Sequence, residues 1–142
     1  MNRFVTWFLP LILGILSLVI TSCREDVILP ENLALSINEP VQKNELDSYS
    51  FMLNARSISI NIASSIHFSS STSRISISIK DYSSGSVVVS IADHQMSNRF
   101  NYLGNDDERF YTESLDGFVP VSISISSINF SGIFQVELHS TF

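Results

Sequence analysis

The sequence predicts an all-β domain, and three observations predict it. Apolar residues recur at every second position in one segment after another, which is the period of a strand with one buried face. Turn-forming residues separate several of these segments. No segment has the spacing of an amphipathic helix, so the apolar faces must cover each other. The expected architecture is an antiparallel β-sandwich of about seven to eight strands, immunoglobulin-like or jelly-roll-like.

The predicted strands follow from the alternation of Ile, Val and Phe with Ser and other polar residues. The alternating segments are Ile58–Ile62, Ile75–Ile79, Val87–Ile91, Val119–Ile125 and Phe134–Leu138. Ser83-Ser84-Gly85 is expected to be a turn between two strands, and Ser131-Gly132 has the spacing of a tight hairpin. The stretch from Asp93 to Arg109 has no clean period and is expected to be a long loop.

The N-terminus has the order of a secretory signal. Arg3 is its only charge, the largely apolar run Phe4–Ile20 follows without a charge, and the small residues Thr21 and Ser22 precede Cys23. We therefore predict a signal peptide over residues 1–22, a lipidated Cys with an acidic tether over 23–47, and a β-sandwich domain over 48–142.

Ile20-Thr21-Ser22-Cys23 resembles the lipobox of bacterial lipoproteins, which reads aliphatic, small, small, Cys. The resemblance implies cleavage between Ser22 and Cys23, a diacylglycerol on the Cys23 sulfur and anchoring in the outer membrane. Several acyl chains on one residue exceed what stable membrane anchoring requires. The alternative is an uncleaved transmembrane anchor with an incidental cysteine. The apolar run is a little short of a span and contains Pro10 and Gly14.

Arg24-Glu25-Asp26 resembles the charged tract that follows the cysteine in surface-exposed lipoproteins of the Bacteroidota type. The alternative is an ordinary solvated tether. Cell-surface and periplasmic exposure therefore both stay open.

Charge and cysteine content limit the classes of function. The formal net charge is −6, and loss of Arg3 with the signal would make it −7. We expect no nucleic-acid partner, because such binding depends on basic groups that neutralise phosphates. A single cysteine forms neither an internal disulfide nor a thiolate metal cage, and no motif implies a cofactor.

Residues 121–138, VSISISSINFSGIFQVEL, resemble the closing β-hairpin of a family of small Bacteroidota-type lipoproteins. The match is Phe130-Ser131-Gly132-Ile133-Phe134, with Ile133 in place of the family's Thr. The resemblance implies the localisation and the β fold. It implies no activity, because none is established for the family.

Four aromatic residues mark a possible ligand loop: Phe100, Tyr102, Phe110 and Tyr111. Their rings suit stacking on a sugar, whereas the alternative is that they close the end of the sandwich core. The serines of the strands, Ser76 and Ser124 among them, are expected on a flat, uncharged outer surface.

Metal and catalytic signals are weak. Asp106, Asp107 and Glu108 offer oxygen ligands but lack the spacing of a calcium loop, and the three histidines are far apart in sequence. No nucleophile elbow or phosphate loop is present. We therefore expect no enzyme but a binding or scaffold module with a glycan or an envelope protein as partner. The alternative is a carbohydrate-binding accessory lipoprotein on the cell surface.

Overall fold

The computed structural model describes residues 36–141, and every regular element in this part of the chain is a β-strand. The seven strands are β1 (Val41–Glu45), β2 (Ser48–Ile58), β3 (Asn61–Ser65), β4 (Thr72–Ala92), β5 (Asn98–Gly104), β6 (Glu108–Asp116) and β7 (Ser122–Ser140). All pairs of these strands are antiparallel. The predicted all-β class and antiparallel pairing are confirmed.

Two long strands, β4 with 21 residues and β7 with 19, pair with each other along most of their lengths and join the whole sheet. The first layer consists of β1, β2, residues 133–140 of β7, residues 72–80 of β4, and β6. The second layer consists of β3, residues 122–128 of β7, residues 86–92 of β4, and β5. The two layers of the sandwich are thus the two halves of one continuous sheet.

The sheet changes direction where β4 and β7 bulge opposite each other. The register of β4 against β7 shifts on both sides of Ser84, which pairs with Ser131. Asp81, Gly85 and Asn129 have positive φ angles of 53°, 83° and 47° in this region. An unpaired residue in a bulge bends its strand and increases the local twist. Two bulges at one level therefore bend the sheet and bring its inner faces together.

The predictions of a turn at Ser83-Ser84-Gly85 and of a hairpin at Ser131-Gly132 are wrong. Both segments lie inside continuous strands, and Ser84 and Ser131 pair with each other. Bulges and hairpin turns both need unusual backbone angles, and glycine and small polar residues such as serine are found in both. A local pattern of these residues therefore does not distinguish the two structures.

One hydrophobic core lies between the layers. Its largest fully buried side chains are Tyr49, Phe51, Leu53, Ile75, Ile77, Ile79, Ile91, Ile123, Ile125, Phe130, Phe134 and Leu138. The alternation predicted over Ile75–Ile79, Val87–Ile91 and Phe134–Leu138 is confirmed, because every second residue of each segment, beginning with the first, is apolar and buried. The ring of Phe134 lies 6.0 Å from Phe51 and 6.2 Å from Phe130 between ring centroids.

Other boundaries differ from those expected. β1 lies within the segment assigned to the tether, so the sheet begins before residue 48. The run Ile58–Ile62 contains the end of β2 and the start of β3. The expected loop from Asp93 to Arg109 contains all of β5, whose outer edge is not paired with another strand in the described part of the chain.

Two buried serines give a matched test of the packing. The Ser127 hydroxyl donates to the carbonyl of Ile58 at 3.1 Å and accepts from the amide of Ile60 at 3.2 Å. The Ser73 hydroxyl is fully buried and has no hydrogen-bond partner within residues 36–141. We expect Ser127→Ala to lower the free energy of unfolding by about 1–3 kcal/mol, because two backbone groups lose their partner. Ser73→Ala should leave stability unchanged or raise it, because it removes an unsatisfied polar atom.

Urea unfolding followed by circular dichroism measures both effects. Equal losses of stability in Ser127→Ala and Ser73→Ala would contradict these hydrogen-bond assignments.

Candidate functional site

The residues on which the anchoring prediction depends lie outside the described part of the chain. These are the signal over 1–22, Cys23 and the tether up to residue 35. From residue 36 to residue 141, no helix is long and apolar enough to cross a membrane.

β5 pairs with the C-terminal half of β4, and β6 pairs with its N-terminal half. Three of the four predicted aromatic residues, which lie on β5 and β6, come together there. The Tyr111 ring centroid lies 5.0 Å from that of Tyr102 and 6.4 Å from that of Phe100. Phe100 is buried, and the two tyrosines are half-buried against the core. Phe110 points to the opposite face of β6 and is 70% exposed. The structure therefore separates Phe110 from the other three aromatic residues.

Both tyrosines of this cluster are held in their protonated form. Burial, assisted by the negative charges of Glu108 and Asp106, raises the pKa of Tyr102 to about 12. A hydrogen bond from the Tyr111 hydroxyl to the Glu113 carboxylate raises the pKa of Tyr111. At neutral pH these phenols can donate hydrogen bonds, but they are poor proton acceptors.

Of the weak metal candidates, Asp106 and Asp107 lie between β5 and β6, and Glu108 is the first residue of β6. The Asp107 carboxylate accepts a hydrogen bond from the Tyr82 backbone amide at 2.9 Å, so it fixes this connection against the bend in β4. No group of three or more His, Cys, Asp or Glu side chains in the described residues has the geometry to hold a metal ion.

Two carboxylates organise turns. Asp47 accepts hydrogen bonds from the backbone amide and hydroxyl of Ser69 and from the hydroxyl of Ser140, and the Ser69 amide bond is the largest reason that its pKa is lowered. Asp93 contacts the Arg99 guanidinium at 2.5 Å, which is the main cause of its lowered pKa. These contacts hold the ends of strands in place, and they account for the lowered pKa values of both carboxylates without a bound ligand.

The outer face of the first layer is arranged in rows, because paired residues of neighbouring strands point to the same side. One row contains Val41, Met52, Gln135 and Ser78. The next row contains Lys43, Ser50, Glu137, Ser76 and Thr112. Ser50 on β2 and Ser76 and Ser78 on β4 are shorter than the Gln135 and Glu137 side chains of β7 between them, and one groove lies on each side of β7.

The β4 groove has a volume of about 230 Å³ and is lined by Ser76, Ile77, Ser78, Lys80, Phe110, Gln135 and Glu137. The β2 groove has a volume of about 430 Å³ and shares the residues of β7. The Gln135 amide donates to the Glu137 carboxylate at 3.0 Å, and the His139 ring lies 3.9 Å from the same carboxylate. These side chains form an ordered polar ridge between the two grooves.

Sequence reasoning missed the β4 groove. Ser76, Ser78, Gln135 and Glu137 are all recognisable as outward residues of alternating strands, but nothing local shows that Ser78 lies opposite Gln135. The sequence predicts Phe110 in a ligand loop with its aromatic neighbours, whereas it lies on β6. The signal that could have placed it is the alternation of Phe110 with Tyr111, which sends the two rings to opposite faces of a strand.

The predicted serine surface is divided between the two layers. Ser76 and Ser78 line the β4 groove, whereas Ser90 and Ser124 pair with each other on the second layer. The serines thus do not form one continuous surface.

Comparison of the chain with protein-family models, with curated proteins and with solved structures finds no match.

Proposed function

We propose that the protein is a lipid-anchored outer-membrane protein whose β-sandwich is a non-enzymatic binding or scaffold module. The observation that carries the proposal is the position of Cys23. The only cysteine of the chain directly follows Ile20-Thr21-Ser22 at the end of the apolar run.

The way in which the tether meets the domain supports this function. The Asn38 amide donates to the Asn54 carbonyl at 2.7 Å, and its side chain accepts from the Arg56 amide at 2.7 Å. These contacts fix the chain at the end of β2 that lies beside the bend of the sheet. Fourteen residue steps separate Cys23 from Ile37, a reach of at most about 50 Å. The proposed lipid on Cys23 would therefore hold the domain within that distance of the membrane.

A carbohydrate-binding accessory lipoprotein is the second candidate. The observation that favours it is the exposed Phe110 ring beside the hydrogen-bonding side chains of the β4 groove. Whether such a domain faces the medium or the periplasm is a separate question, which protease treatment of intact cells answers.

Metabolic labelling tests the anchor. The full-length protein, Cys23→Ala and the neighbouring control Arg24→Ala are produced in a bacterial host with radiolabelled palmitate, and membranes are separated on a density gradient. We expect label and outer-membrane sedimentation for the unchanged protein and for Arg24→Ala, and no label for Cys23→Ala, because only the thiol accepts the diacylglycerol. Equal labelling of Cys23→Ala would refute the proposal.

A further inference from the structure

We propose that the β4 groove binds a neutral oligosaccharide chain and that the Phe110 ring stacks on one of its sugar rings. This proposal rests on the proposed function, because it names the ligand class and the site of the binding module. It places that site on the outer face of the first layer, away from Tyr102 and Tyr111.

Phe110 supplies the apolar contact. Its ring is 70% exposed on the groove wall, although its neighbour Tyr111 on the same strand packs against the core. The face of an aromatic ring carries partial negative charge. It therefore attracts the polarised C–H bonds on the flat side of a sugar ring, which also has apolar character. An exposed ring in this position fits a ligand that is apolar on one face and polar at its rim.

The floor and the opposite wall supply the polar contacts. Ser76 and Ser78 each offer a hydroxyl that donates and accepts, and the Gln135 amide offers an acceptor and the one N–H that is not donated to Glu137. Sugar hydroxyls also both donate and accept, so this set of groups matches them without a fixed charge. The Glu137 contact with the Gln135 amide orients that amide within the wall.

Charge and width restrict the ligand further. Among the side chains that the structure describes, Lys80 and Glu137 are the charged ones that line the groove, and their charges are opposite. An anionic or a cationic polymer would be attracted by one of them and repelled by the other, whereas a neutral chain meets no such conflict. The walls on β6 and β7 are two strand spacings apart, or about 10 Å, which admits one extended chain.

The test is isothermal titration calorimetry with the full-length protein purified from membranes in a sugar-free detergent. The probes are four neutral hexasaccharides: maltohexaose, cellohexaose, xylohexaose and mannohexaose. We expect at least one of them to bind. Phe110→Ala should weaken that binding about tenfold, Phe110→Tyr should retain it, and Gln135→Ala should weaken it.

Leu103→Ala is the matched control, because Leu103 is also a large apolar residue that is 61% exposed, but on β5 in the second layer. It should leave the affinity unchanged. The proposal is overturned if none of the four hexasaccharides binds, if Phe110→Ala binds as tightly as the unchanged protein, or if Leu103→Ala weakens binding as much as Phe110→Ala. Palmitate labelling of Cys23 is measured separately, so the failure of sugar binding is distinguishable from the failure of the anchor.

Discussion

Gly85→Ala is expected to lower the free energy of unfolding by about 2–5 kcal/mol. A Cβ atom at this position would lie 2.3 Å from the Asn129 carbonyl oxygen and 2.4 Å from that of Ile128. Both obstacles are backbone atoms of the β7 bulge, so no side-chain rotation relieves the overlap. A non-glycine residue at φ 83° adds a cost of roughly 1–2 kcal/mol to the roughly 1–3 kcal/mol of overpacking.

Gly117→Ala separates these two contributions. Gly117 has nearly the same φ, 82°, but nothing lies within 4 Å of its added Cβ atom. Gly117→Ala should lower the free energy of unfolding only by the cost of the positive φ angle, roughly 1–2 kcal/mol. Urea unfolding of both variants measures the difference. If the two substitutions cost the same, the close approach of β4 and β7 at the bend is wrong.

Phe134→Ala is expected to cost about 3–5 kcal/mol, because it opens a cavity in a core of aromatic and branched side chains. Phe134 is fully buried between Phe51 and Phe130. Phe110→Ala removes the same atoms from an exposed site and should change stability by less than about 0.5 kcal/mol. Thermal unfolding by circular dichroism compares the two. A larger loss of stability in Phe110→Ala than in Phe134→Ala would contradict the assignment of inner and outer faces.

The alternation of Ile, Val and Phe with serine made the fold class and much of the core predictable. In Ile75–Ile79 and Phe134–Leu138 the apolar residues are those that the sandwich buries. The prediction succeeds because a one-residue shift in strand register would move every apolar side chain into water. The alternation therefore fixes the buried face of each strand.

The path of the sheet was not predictable from local sequence. Gly85 and Gly132 mark positions where the backbone departs from a regular strand, and a hairpin or a bulge satisfies the same signal. What decides between them is the pairing of Ser84 with Ser131, which are 47 residues apart. The β4 groove depends on the same long-range register, so its walls could not be assembled before the strands were aligned.

The sequence pattern failed to predict β5 for a different reason. It is an edge strand, and its outward positions include the apolar Leu103 as well as polar residues such as Asn101. Its inward Phe100 and Tyr102 therefore do not stand out against a uniformly polar background. Interior strands such as β4 have a clearer alternation because small serines separate their isoleucines.

The proposed anchor and the proposed groove have a simple spatial relation. The chain enters the first layer at Asn54, beside the bend, and the grooves follow the strands toward the turn at Asp47. A lipid on Cys23 would thus hold the domain by the end at which the grooves begin. A chain-like ligand could lie along them without passing through the core.

The most direct measurement is the intact mass of the protein extracted from cell membranes, with fragmentation of its first residues. We predict a chain that begins at Cys23 and carries a diacylglycerol on the Cys23 sulfur. A chain that still begins at Met1, or a Cys23 without lipid, would contradict the proposed anchoring.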